Sequence, residues 1–191
     1  MYTQDYDGMY TPPFHYNPMR DARDWTCPNL DWWDDLLQPY VKNRQLAVCP
    51  SIRFTTTCAA VRNRWFQSGA TMVKAWSYGV NTVESWPLTR WNPLTAHGFR
   101  DPNFRNIQPL QVGRSVSEAV VADPANTIWL MDSNNIEMWN EGLFDYFSPA
   151  QRARFERHNQ GFNAAFADGH VKWIRAGSTR PCQWSVQSDC P

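Results

Sequence analysis

The sequence predicts an α+β fold. Three features point there. Apolar residues recur at helical spacing near the start of the chain, period-two segments of strand character follow, and long proline-bearing stretches with no periodicity separate them. A helix that precedes short strands joined by long connections packs against an antiparallel sheet rather than forming alternating βαβ units.

Residues 1–28 carry Pro12, Pro13, Pro18 and Pro28 among polar and aromatic residues, and read as an extended arm. Residues 31–43 read as a helix. Asn29 or Asp31 is placed to cap it, and Trp33, Leu36, Leu37, Tyr40 and Val41 lie along one side. Pro39 should bend that helix or split it into two pieces, because it lacks an N–H and clashes with the preceding turn. Residues 45–48 read as a short strand running into Cys49-Pro50. Residues 71–80 read as a strand with Trp76 and Tyr78 on one face.

Residues 84–112, with Pro87, Pro93, Pro102 and Pro109, read as a long irregular insertion. Ser115 and Glu118 have capping-box spacing for a short helix that gives way at Pro124 to a strand over 127–131. Ser148-Pro149 reads as the cap and first residue of a helix over 150–157.

The final element is a hairpin over 162–174. Asp168-Gly169 suits a two-residue type I′ turn. That turn sets Ala167 against His170, Phe166 against Val171, Ala165 against Lys172 and Ala164 against Trp173. Phe166, Val171, Ala164 and Trp173 then share an apolar face, with His170 and Lys172 on the other. The resulting organisation is an arm (1–28), a head (29–174) and a loose tail (175–191).

A chain of 191 residues fits one domain with extensions. It has 18 basic and 18 acidic residues, so net charge supplies no reason to bind nucleic acid or an anionic membrane, and no barrier to self-association. No apolar run reaches membrane-spanning length. Cysteines stand at 27, 49, 58, 182 and 190 without any C-x-x-C pair, which disfavours zinc-ribbon and haem-attachment readings. The spacings of Cys49 with Cys58 and of Cys182 with Cys190 suit short disulfide loops in an oxidising compartment, leaving Cys27 over. Five reduced thiols are the alternative.

There is no G-x-S-x-G element, and His15, His97, His158 and His170 sit in no catalytic motif, so an enzyme is not expected. His158 and Asp168 read as an acid–base or metal pair, or more simply as structural residues. In the structural reading Asp168 accepts backbone hydrogen bonds in the turn and His158 fixes the entry to the hairpin. Candidate calcium ligands are Asp5 and Asp7 before Gly8, and Asp132 with Asn134 near Glu137, although neither run has EF-hand spacing. No other cofactor is expected. Among the tryptophans, Trp32, Trp76, Trp129 and Trp173 fall in elements and read as core. Trp86, Trp91 and Trp184 fall outside them and read as subunit-contact residues, with sugar stacking as the alternative.

Several stretches also carry a family resemblance. His158, nine residues, then Asp168-Gly169 and His170-Val171-Lys172-Trp173 resembles the C-terminal H-x9-DG element of prepilin-like, pseudopilin-like proteins. Residues 1–8 (MYTQDYDG) resemble the segment after that family's membrane helix. Residues 36–43, running into Val48-Cys49-Pro50-Ser51, resemble its helix and "CPS" strand end, and residues 127–133 resemble its central strand ending in an aspartate, here Asp132. These stretches follow family order, with divergent insertions around 52–75 and 84–112.

The resemblance implies a pilin-like head whose antiparallel sheet packs on an N-terminal helix. It implies a non-enzymatic subunit, extracellular or at the cell surface, that assembles with copies of itself into a filament or pseudopilus. Calcium in a C-terminal loop of related pseudopilins adds to the calcium expectation. A cell-surface binding module for a glycan is the alternative. The family's leader and apolar helix have no counterpart here: the chain starts where that helix would be ending.

Overall fold

The computed structural model describes residues 2–16, 30–51, 77–82, 98–99, 116–133, 137–138 and 156–187. Short helices α1 (Tyr2–Asp5), α2 (Trp33–Leu36) and α3 (Gln38–Val41) accompany two sheets. Strands β1 (Phe14–Tyr16) and β2 (Leu30–Trp32) form an antiparallel pair. The larger sheet contains β3 (Tyr78–Asn81), β4 (Ile128–Asp132), β5 (Glu137–Met138), β6 (Gly161–Phe166) and β7 (Val171–Arg175), in the order β5-β3-β4-β6-β7. Strands β3, β4, β6 and β7 are antiparallel neighbours, and β5 joins β3 in parallel. The fold class is α+β.

The early helical segment divides as its proline requires, but begins later than its polar residues suggest. Asp31 lies in β2 opposite His15, so it cannot cap. The chain turns helical after Trp32, whose N–H donates to Asp35 Oδ2 (3.1 Å) three residues on. The break falls at Leu37, and Pro39 sits in the first turn of α3, where a missing N–H costs nothing. Lys42, in the left-handed region at φ 56°, ends α3 by donating its N–H to Gln38. The segment after it is not a strand. Asn43 Oδ1 accepts from Gln45 N (2.9 Å) and starts a 3-10 turn over Arg44–Ala47.

Residues 10–13, within the expected arm, are buried rather than on the surface. Tyr10 and Thr11 are buried, and Tyr10 takes its place among Trp32, Trp33, Val80, Phe99, Val116, Val121 and Val186 in the core. Its N–H donates to Val116 O (2.9 Å), its ring meets Phe99 edge-on at 4.8 Å, and its hydroxyl donates to Ala167 O (2.8 Å). This segment also holds α1 and β1, and the irregular stretch between them is buried because its polar groups find partners.

The tail also packs. A 3-10 turn over Pro181–Trp184 leads into buried Trp184, Ser185 and Val186. Asn81 Nδ2 donates to both Ile128 O (2.8 Å) and Trp184 O (3.1 Å), sewing the tail to β3 and β4. The short 3-10 helix Glu118–Val120 is capped by Ser117, whose Oγ accepts from Ala119 N (3.2 Å). Ser115, the expected cap, lies outside the described residues, as do most of the expected strand over 71–80, the insertion 84–112 apart from 98–99, and residues 150–155 of the expected helix. Glu156 and Arg157 are not helical.

The hairpin forms, with its register moved by one residue. Ala165 faces Val171, Ala164 faces Lys172, Asn163 faces Trp173 and Phe162 faces Ile174. The turn therefore has three residues, Ala167-Asp168-Gly169. Gly169 N donates to Phe166 O (2.9 Å), and Gly169 takes φ 94° while Asp168 does not enter the left-handed region. This is a type I turn followed by a left-handed glycine rather than a type I′ turn. The backbone of Ala167 is engaged outside the hairpin: its N–H donates to Thr127 O (2.8 Å), and its carbonyl accepts from Tyr10.

A one-residue slip exchanges faces. Phe162, Ala164 and Phe166 are buried with Ile174, whereas Val171 is 69% and Trp173 45% exposed. Trp173, expected in the core, instead lies over Gly161. A Cβ at Gly161 would stand 2.3 Å from Ile174 O and 2.6 Å from Trp173 Cε2.

Gly161→Ala should therefore cost about 2–3 kcal/mol by overpacking, read as a lowered urea midpoint with an unchanged slope. The phenol of Tyr10 is pushed up to about 12, first by burial, then by Glu118 and Asp168. Its stabilising contribution is complete below an ordinary tyrosine pKa of about 10 and is lost as pH rises through the folded value. Tyr10→Phe should thus show a shallower decline in stability than the parent between about pH 10 and 12, measured by chemical denaturation.

Candidate functional site

Three ligand-type side chains converge where the helical layer meets the end of β4. Cys49 Sγ lies 3.6 Å from His158 Nε2, which lies 3.4 Å from Asp132 Oδ2. The three donor atoms are all within 4.8 Å of one another. Cys49 is 3% exposed and Asp132 0%, while the His158 side chain is 27% exposed and opens the group to solvent.

Backbone hydrogen bonds explain the convergence. Ser77 N donates to Ala47 O, and Ser133 N donates to Ser77 O, each at 2.9 Å. This ladder draws the segment ending in Cys49 against the end of β3 and then β4. His158 begins a tight loop in which Asn159 and Gln160 have φ 54° and 62°. His158 and Gly161 exchange both backbone hydrogen bonds (3.2 and 3.1 Å), and Trp173 Nε1 donates to His158 O (2.6 Å). Asp132 Oδ2 accepts from Asn163 N (2.6 Å) and Asn163 Nδ2 (3.1 Å) across the β4–β6 pair. Asp132 Oδ1 is buried and has no donor among the described residues. Nearby, Arg157 Nη2 donates to Ser133 O (2.7 Å). The phenol of Tyr78, opposite Asp132 on β3, is pushed up by burial first, then by Cys49 and Asp132, with Arg157 opposing.

A Cys–His–Asp group invites comparison with a nucleophile relay, but the geometry differs. In a relay the imidazole uses one nitrogen for the nucleophile and the other for the carboxylate. Here sulfur and carboxylate both face Nε2. Two donors gathered about one nitrogen can hold an ion between them, but cannot pass a proton along the ring.

The other motif residues lie apart from this group. Asp168 Oδ1 accepts from His170 N (3.1 Å) and meets His170 Nδ1 (2.7 Å) in the hairpin turn, and the His170 ring stacks on Phe166 at 4.3 Å. Those contacts, the backbone N–H first, hold the Asp168 carboxyl below the usual carboxylate range. Asp5 Oδ2 accepts from Tyr40 OH (2.7 Å), while Asp7 is an exposed turn residue at φ 52°. Asp132, a calcium candidate, stands among the described residues within ligand distance of a thiol and an imidazole. Asn134 lies outside the described residues.

Cys49 is a free thiol, so the Cys49–Cys58 disulfide does not form. Cys182 is disulfide-bonded, and Cys27, Cys58 and Cys190 all lie outside the described residues. Trp184 is 1% exposed and buried in its own chain, which removes it as a subunit or sugar contact. Trp86 and Trp91 lie outside the described residues.

Beside the polar group, α2 and α3 stand off the sheet and leave an apolar cleft of about 310 Å³, lined by Trp33, Leu37, Val41, Leu46, Leu130 and Val171. Tyr78 and Asn163 line it as well as bordering the polar group. Leu46 is 63% and Val41 38% exposed at its rim. No described helix is long and apolar enough to cross a membrane.

Comparison with protein-family models, curated proteins and solved structures returned no match. The site is thus read from its own geometry. The grouping of Cys49, Asp132 and His158 is absent from the sequence reading, which took His158 and Asp168 as an acid–base or metal pair or, more simply, as structural residues. A signal for it existed: the three residues belong to three separate motif-like stretches.

Because the folded Asp168 carboxyl titrates below its unfolded value, its contribution is present above about pH 4 and disappears as pH falls through the lower folded value. Asp168→Asn should be less stable than the parent near pH 5, and the two thermal midpoints should converge in stronger acid.

Proposed function

We propose that this chain is a structural subunit with a pilin-like head, working outside the cell or at its surface by packing against copies of itself. The apolar cleft and its bare rim carry this reading. Val171 and Leu46 are 69% and 63% exposed on either side of a cavity lined almost wholly by hydrocarbon. Such a surface is costly to leave in water and marks a contact site. It lies between the short helices and the sheet, where a pilin-type head holds an apolar helix. A neighbouring copy's apolar segment is the occupant proposed here.

Three further features agree. The motif-like stretches occur in family order, the sheet ends in the hairpin on which the H-x9-DG resemblance rests, and a net charge of zero offers no long-range repulsion between copies. Strand β7 is also the sheet's edge among the described residues, so its unpaired side can meet another strand.

Sedimentation velocity over rising concentration, with electron microscopy of the same samples, tests the reading. The parent should form large assemblies. Val171→Asp and Leu46→Asp should remain monomeric with unchanged circular dichroism, because both side chains point into solvent in the single chain. A parent that stays monomeric at every concentration overturns the proposal.

A further inference from the structure

We propose that Cys49, Asp132 and His158 bind one divalent transition-metal ion of the zinc class. The donor set is a thiolate, an imidazole nitrogen and a carboxylate oxygen, which suits zinc and its neighbours and excludes calcium and magnesium.

Two of the three donor spacings match a tetrahedral centre, and the third, from Cys49 Sγ to the Asp132 carboxylate oxygen, is within 4.8 Å. With Zn–S about 2.3 Å and Zn–N and Zn–O about 2.0–2.1 Å, tetrahedral angles place S and N about 3.6 Å apart and N and O about 3.4 Å apart. The side chains show 3.6 Å for Cys49 Sγ to His158 Nε2 and 3.4 Å for His158 Nε2 to Asp132 Oδ2. Coordination through Nε2 needs only the neutral ring with its proton on Nδ1.

Burial supplies an independent argument. Asp132 is fully buried, its Oδ1 has no donor among the described residues, and a buried carboxylate so placed is expensive. A cation at Oδ2 offsets the charge of this buried carboxylate, although Oδ1 itself still lacks a donor among the described residues. Asn163 grips Oδ2 through its backbone and side-chain N–H groups, and Trp173 and Gly161 hold the His158 backbone, so the ligands are oriented from behind. Arg157 is near, but its guanidinium is turned to Ser133 O. Solvent reaches the group past the partly exposed imidazole and completes the fourth position. Metal entry displaces the Cys49 thiol proton to solvent, so affinity should fall with acid.

The test is titration of the metal-free full chain with Co2+, under conditions that leave the Cys182 disulfide intact, followed by Zn2+. One equivalent of Co2+ should produce a thiolate-to-metal charge-transfer band that Zn2+ abolishes. Cys49→Ser should abolish the band. His158→Gln, at the exposed side of the site, should keep the fold by circular dichroism and bind far more weakly. Asn163→Ala should lose about 10–100-fold in affinity while the band keeps its shape. A parent without the band, a band undiminished in Cys49→Ser, or unchanged affinity in folded His158→Gln overturns the proposal. None of these readouts depends on assembly, so the outcome stands apart from that of the self-association test.

Discussion

The structure depends on the register of β6 between its two neighbours. The turn Ala167-Asp168-Gly169 uses three residues because Ala167 is occupied elsewhere, donating to Thr127 and accepting from the buried Tyr10. From that one constraint, alternation does the rest. Phe162, Ala164 and Phe166 turn inward, Asn163 comes opposite Asp132, and Trp173 lies across Gly161, where no Cβ fits. The polar group and the apolar cleft both inherit their positions from this alignment.

These two features share walls. Tyr78 and Asn163 border the Cys49–Asp132–His158 group and also line the cleft. Whatever fixes Asn163 against Asp132 therefore stiffens one side of the surface proposed for subunit contact. An ion at the polar group would act on Tyr78 and Asn163, which also wall the surface proposed for subunit contact.

The two ends of the H-x9-DG stretch do separate work. Asp168 shapes the turn with His170, while His158 stands at the start of β6 and faces Cys49 and Asp132. Spacing along the chain made His158 and Asp168 look like a pair, but a hairpin carries its turn and its base to opposite ends. His158 is close instead to the ends of two other segments, brought there by the ladder through Ala47, Ser77 and Ser133.

By itself the sequence determined the α+β class, a helix divided near Pro39, a strand over about 127–131, and a closing hairpin with Asp168 and Gly169 in its turn. Each rests on local physics: proline's missing N–H, period-two alternation, and glycine's freedom at positive φ. Tertiary structure decided what local signals cannot carry. It buried the proline-bearing start through Tyr10, buried Trp184, exposed Trp173, and turned residues 44–47 into a 3-10 turn. It also gathered a thiol, a carboxylate and an imidazole from three distant segments. Burial and proximity arise from contacts between residues far apart in the chain, and a single-residue choice at one turn is enough to reverse which side of a strand faces water.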